Sequence, residues 1–171
     1  FQIDPVTDVA DVSSEIILIN QKDPANNHNG GSLFFDKEGY LFISFGDGGN
    51  QNNANDNGQY VNKNLLGGVL RIDVDRDPSQ SHAILRQPLA GGSYTGNYLI
   101  PNDNPFLIPA GNYLEEFYAL GFRNPHRMTY DSLTNTILIG DVGQSEREEV
   151  NVVVKGGNYQ WSYKEGTLNG P

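Results

Sequence analysis

The chain has 171 residues and sets 21 Asp and Glu against 11 Lys and Arg, a formal net charge of −10. That length suffices for one domain with a real core, and an acidic balance without a basic stripe points away from nucleic acid. No apolar run approaches the ~18 residues of a membrane span, and the lack of cysteine excludes disulfides, thiolate metal sites and a cysteine nucleophile, while leaving the compartment open.

Helical periodicity is nearly absent, and only Asn112 to Tyr118 offers a helical turn, with aromatics that fit a strand equally well. Short apolar runs bounded by Gly, Asn, Asp or Pro dominate instead and predict an all-β chain. Phe1 to Ile3 already reads as a strand, and both ends are abrupt, so the expectation is a piece of a longer protein. A run from Glu15 to Asn20 follows. Ser32 to Phe35 and Tyr40 to Phe45 flank the turn Asp36-Lys37-Glu38-Gly39, which predicts a β-hairpin. Asn27-His28-Asn29-Gly30-Gly31 enters that hairpin and Gly46-Asp47-Gly48-Gly49 leaves it, so both polar clusters emerge at one end. An imidazole beside a carboxylate is the usual arrangement of an oriented general base.

Asn50 to Asn64 reads as a surface loop, although its density of oxygen donors also suits calcium. Val69 to Val74 is the next strand. Pro78 to Pro109 reads as an excursion with little regular structure, of the kind that is usually functional or mobile. After the strand Glu116 to Leu120 comes Gly121-Phe122-Arg123-Asn124-Pro125-His126-Arg127, where Pro125 is expected to end regular pairing. Arg123 and Asn124 present a cation and an amide to an anionic or carbonyl ligand, or Arg123 pairs with a surface carboxylate. Thr136 to Ile139 precedes Gly140-Asp141-Val142-Gly143-Gln144-Ser145-Glu146-Arg147-Glu148-Glu149, whose glycines let carbonyls face a hard cation. Val150 to Val154 is the last strand. Trp161, in Gly156-Gly157-Asn158-Tyr159-Gln160-Trp161, reads as packing. His82 has no partner in view, and His126 sits within the Arg123 cluster or faces solvent.

The plan Phe35-Asp36, turn, Tyr40 to Ile43, Gly46-Asp47-x-Gly49 recurs as Tyr130-Asp131, turn, Thr136 to Ile139, Gly140-Asp141-x-Gly143. Repeated antiparallel units of this kind suggest propeller blades. The spacing fits two blades of about 45 residues each, or one with long insertions.

Taken together, these motifs resemble the glucose/sorbosone dehydrogenase family of soluble quinoproteins, which also includes hedgehog-interacting-protein-like propellers. Leu65-Leu66-Gly67, Val69-Leu70-Arg71-Ile72-Asp73, Asp103-Asn104-Pro105-Phe106, Ala119-Leu120-Gly121-Phe122-Arg123-Asn124-Pro125, Gly140-Asp141-Val142-Gly143-Gln144, Glu148-Glu149-Val150 and Lys155-Gly156-Gly157-Asn158-Tyr159-Gln160-Trp161 carry the match, with the His28 and Asp47 clusters, in order along nearly the whole chain. The resemblance implies a six-bladed β-propeller, of which residues 1–171 would form a single partial domain of about three blades. It implies a periplasmic or secreted oxidoreductase that oxidises an aldose or related alcohol with pyrroloquinoline quinone (PQQ) and Ca²⁺ and passes electrons to an external acceptor. His28 would be the general base, Asp47 its orienting partner, and Arg123 the stabiliser of charge on the reduced quinone. Asn52, which falls where the family has a glutamine, would join Arg123 and Asn124 on the cofactor. The carbonyls of Gly143 and Gln144 would ligate the cofactor's calcium, Gln144 standing where the family has a proline. Glu148, Glu149 and Tyr159 would belong to a separate structural calcium site. This stretch alone would carry half a site and be inactive, with open blade edges that favour a homo-oligomer. The other reading is a non-catalytic extracellular binding propeller of the hedgehog-interacting-protein type. The absence of cysteine favours the enzyme, since extracellular animal modules are normally disulfide-rich.

Overall fold

The computed structural model describes residues 1–86, 92–108 and 111–170, and it is all-β apart from a short 3₁₀ turn at Val12–Ser14. Two open antiparallel sheets organise it. The first has four strands in the spatial order Phe117–Leu120, Gly68–Ile72, Leu41–Phe45, Leu33–Phe35. The second is a three-stranded meander of Pro125–Asp131, Thr136–Asp141 and Glu149–Val153. Short two-stranded pairs complete the fold, among them Ile19–Gln21 with Gly92–Tyr94 and Ser81–His82 with Ile100–Pro101.

The hairpin pairs Leu33 with Ile43 and Phe35 with Leu41. Its turn is closed by Asp36, whose Oδ1 accepts the backbone N–H of Glu38 and of Tyr40 at 3.1 and 2.9 Å. Leu41, Phe42, Ile43 and Ser44 are all buried, because both faces of this strand are covered. One face joins Leu70, Ile72, Ile100, Leu114 and Phe117 in a first core. The other sends Phe42 to Val69, Phe122, Ile137, Ile139 and Val153, so the second core lies between the two sheets. Full burial of side chains of this size contributes roughly 1.5–3 kcal/mol each. Polar stitches align the sheets: Ser44 Oγ donates to the Pro125 carbonyl at 2.8 Å, and the Met128 N–H donates to Ser32 Oγ at 3.0 Å.

Two local expectations are corrected, at Pro125 and in the Glu15 to Asn20 run, and one left open is decided. Pro125 begins a seven-residue strand instead of ending pairing, since a strand's first residue needs no ladder N–H, and a register shift follows it at Arg127. Only Ile19 and Asn20 of the Glu15 to Asn20 run are paired. From Phe117, the Asn112 to Tyr118 stretch is strand, held by its pairing to Gly68–Ile72. The Pro78 to Pro109 excursion contains the short strands named above, and its residues 87–91 and 109 lie outside the described residues.

One of the buried acids beside the first core is Glu116. It is fully buried, with Oε1 accepting from the Tyr98 hydroxyl at 2.8 Å and Oε2 without a partner among the described residues. Burial pushes its carboxyl from 4.5 up to about 7, and the Tyr98 hydrogen bond offsets this only in part. Between those values the folded chain keeps a proton that the unfolded chain has released. Its contribution is therefore fully present below pH 4.5 and lost as pH rises through about 7. Denaturation of Glu116→Gln should show a flatter pH dependence, with about 2 kcal/mol less stability lost between roughly pH 5 and pH 7 than in the unsubstituted protein. Equal slopes in the two proteins would rule this out.

Candidate functional site

The two polar clusters at the hairpin's open end meet because glycines let their backbones touch. A Cβ on Gly46 would overlap the His28 carbonyl, and one on Gly30 would lie 2.5 Å from the Ser44 carbonyl oxygen. Gly30 and His28 both take left-handed φ values, +65° and +59°. His28 Nδ1 thereby lies 2.7 Å from Asp47 Oδ1, with the residues only 7% and 1% exposed. Asp47 is held on every side. Its Oδ1 also accepts the Gly49 N–H at 3.0 Å, its Oδ2 accepts Trp161 Nε1–H at 2.7 Å, and its carbonyl accepts from Asn57 Nδ2. Because the carboxylate only accepts, Nδ1 is the donor in this contact, and in the neutral imidazole the lone pair is on Nε2.

Trp161 was expected to pack, and its bond to Asp47 went unread. A buried indole N–H needs an acceptor, which is the one sequence signal for it. Trp161→Phe keeps an aromatic ring, though a smaller one, and removes the N–H that bonds Asp47 Oδ2. A loss of about 1–3 kcal/mol in chemical denaturation is expected, and unchanged stability would show the bond to be idle.

Arg123 joins the same cluster. The Asp47 N–H donates to the Arg123 carbonyl at 2.8 Å, and the guanidinium carbon lies 5.4 Å from the centre of the Trp161 ring. Its Nη1 donates to the carbonyls of Val142 and Gly143 at 3.0 and 2.8 Å, while buried Nε has no partner among the described residues. The alternative of a surface ion pair is not what forms. Asp141, the counterpart of Asp47 in the second repeat, accepts the backbone N–H groups of Arg123 and Asn124 at 3.0 and 2.7 Å. Burial raises its carboxyl to about 7 against the pull of those two bonds. The two repeats thus use the same aspartate for one purpose: each fixes the polar residues that enter its hairpin.

Asn52 pairs reciprocally with Gln144, its N–H donating to Oε1 at 2.6 Å and its Oδ1 accepting from Nε2 at 2.8 Å. This ties the Asn50 to Asn64 loop to the loop that bonds Arg123. The remaining predicted residues are engaged separately. Glu148 accepts the Gly143 N–H, and Glu149 accepts from Gly166 and Asn151. Tyr159 stacks on Phe122 and spends its hydroxyl on Val152 and Val154 backbone. Among the described residues no three His, Asp or Glu side chains are grouped as metal ligands. His126 is exposed, and His82 Nδ1 lies 2.8 Å from Asn102 Oδ1.

Chemically, the cluster offers a free imidazole nitrogen backed by a carboxylate, beside a buried cation that retains an unpaired donor. The chain matches the model of the glucose/sorbosone dehydrogenase family over residues 6–91 and 95–168. It is 40% identical over 145 residues to HIPL1 protein of Arabidopsis thaliana, covering 84% of this chain and 20% of that protein. To aldose sugar dehydrogenase YliI of Escherichia coli (strain K12) it is 32% identical over 135 residues, covering 79% of this chain and 29% of that protein. Among solved structures it is similar to the soluble aldose sugar dehydrogenase of Escherichia coli in the apo-form, with a TM-score of 0.59, 28% identity, and coverage of 81% of this chain and 33% of that one. The chain therefore spans between a fifth and a third of the length of these relatives.

Proposed function

Because this chain belongs to the glucose/sorbosone dehydrogenase family, we propose that it supplies the proton-abstracting half of a PQQ- and Ca²⁺-dependent aldose dehydrogenase, in a periplasmic or extracellular protein. In this reading residues 1–171 are one partial domain, about three blades of a six-bladed propeller. Two adjacent antiparallel sheets with equivalent aspartates at the rim support it.

The observation that carries the catalytic reading is the buried His28–Asp47 pair, locked by Trp161 and backed by Arg123. The donor types fit the cofactor. Arg123 Nε is an orphaned buried donor, and the Asn124 side-chain amide has no partner among the described residues; both suit quinone oxygens. The carbonyls of Gly143 and Gln144 suit a hard cation, with Asn52 bonded to the Gln144 side chain beside them. When bound, the quinone would accept the two electrons of alcohol oxidation. His28 Nε2 takes the substrate hydroxyl proton, and Asp47 stabilises the resulting imidazolium. Arg123 holds a fixed positive charge where negative charge develops. Glu148, Glu149 and Tyr159 are proposed for a separate structural calcium site.

Full-length protein supplied with PQQ and Ca²⁺ should reduce an artificial dye, the external acceptor, when given aldoses. A folded full-length protein that takes up no quinone would overturn the enzyme reading and leave the non-catalytic binding propeller.

A further inference from the structure

One buried carboxylate close to this cluster has no role in the proposed chemistry. Glu165 is 5% exposed, four residues beyond Trp161. Its Oε1 accepts four successive backbone N–H groups: Gln144 at 2.6 Å, Ser145 at 2.8 Å, Glu146 at 3.0 Å and Arg147 at 3.3 Å. Burial raises its carboxyl, but those bonds outweigh burial and hold it below the ordinary value. The tight turn around it needs Gly143, where a Cβ would overlap the Arg147 carbonyl and lie 2.7 Å from Glu165 Oε1. Glu165 is itself anchored, since Glu149 accepts the N–H of the next residue, Gly166.

A trans peptide is planar, with its C=O and N–H pointing in opposite directions. The Gln144 N–H points at Glu165, so the Gly143 carbonyl points away from it, and that carbonyl is the one that accepts from Arg123 Nη1. The Ser145 N–H points at Glu165, so the Gln144 carbonyl is turned away as well. We infer that Glu165 is a positioning residue that aims the Gly143 and Gln144 carbonyls and, through Gly143, seats the Arg123 guanidinium. Aiming these carbonyls at calcium rests on the proposed function; their direction and the seating of Arg123 do not.

The test uses Glu165→Ala and the gentler Glu165→Gln in the full-length protein, each checked for native circular dichroism. Amide exchange at residues 144–147 should rise about tenfold or more in Glu165→Ala and less in Glu165→Gln, which keeps one acceptor oxygen. The Ca²⁺ concentration for half-maximal PQQ uptake should rise about 10–100-fold, with the aldose KM nearly unchanged. Unchanged exchange overturns the inference, as does faster exchange with an unchanged Ca²⁺ requirement. If the unsubstituted protein takes up neither PQQ nor Ca²⁺, the functional reading fails, and the exchange measurement still decides whether Glu165 holds the loop.

Discussion

Replacing His28 with glutamine should slow aldose oxidation by the quinone-loaded full-length protein by about 10²–10⁴-fold, the range set by loss of a general base. Quinone uptake should stay nearly intact, because the proposed cofactor contacts come from Arg123, Asn124 and the Gly143 loop. Two features make this residue the strongest choice. Its Nδ1 lies 2.7 Å from Asp47 Oδ1, so Nε2 is the nitrogen left for a substrate hydroxyl in the proposed chemistry. It also adopts φ +59°, with its carbonyl packed against Gly46, which fixes its backbone beside the Asp47 cluster. Glutamine preserves polarity and approximate size, so protein folding should survive. Steady-state dye reduction and a separate quinone titration distinguish the two effects. A variant that keeps its rate would remove His28 from the chemistry, while one that loses quinone binding first would make it a cofactor contact.

Asp47→Asn is expected to damage both rate and stability. The carboxylate accepts three hydrogen bonds, from His28, Gly49 and Trp161. An amide offers one acceptor oxygen and turns its N–H₂ either towards His28 and Gly49, which share Oδ1, or towards Trp161. If it faces His28, the imidazole tautomer reverses and Nε2 becomes protonated, so the base is lost and the Gly49 N–H loses its acceptor. If it faces Trp161, two N–H groups confront each other in a site only 1% exposed. The stability cost is about 1–3 kcal/mol for the unpaired buried donor, and the rate should fall by roughly the same 10²–10⁴-fold as for His28. Denaturation midpoints and kcat measured on the same preparation test this. A variant with normal kcat and lowered stability would reduce Asp47 to a structural role.

The hairpin was legible because its signals are local. Two apolar strands and a polar turn bring both chain ends to one rim, whatever packs around them. That logic placed His28 beside Asp47, whereas the contact of Asp141 with the Arg123 and Asn124 backbone came only from the structure. The all-β reading has the same origin, since short apolar runs bounded by Gly, Asn, Asp or Pro are a local property of strands and turns. Pro125 was misread because a proline looks the same at the end of a strand as at the start of one, and only the pairing with Asp141 distinguishes them.

The sequence by itself thus determined the strands, their turns and the meeting of His28 with Asp47, since each follows from short-range chain geometry. Tertiary structure alone decided what holds that pair in place. Trp161 reaches Asp47 across 114 residues, Gln144 reaches Asn52 across 92, and Glu165 captures a loop centred some 20 residues away. Most of these partners sit on irregular loops, and Glu165 lies in the two-residue strand Lys164–Glu165, so no periodicity relates one polar side chain to another. Their bonds form because packing Phe42, Phe122 and Ile139 between two sheets brings the loops to a common rim. There, buried donors and acceptors must find partners or lose the hydrogen bonds they had with water.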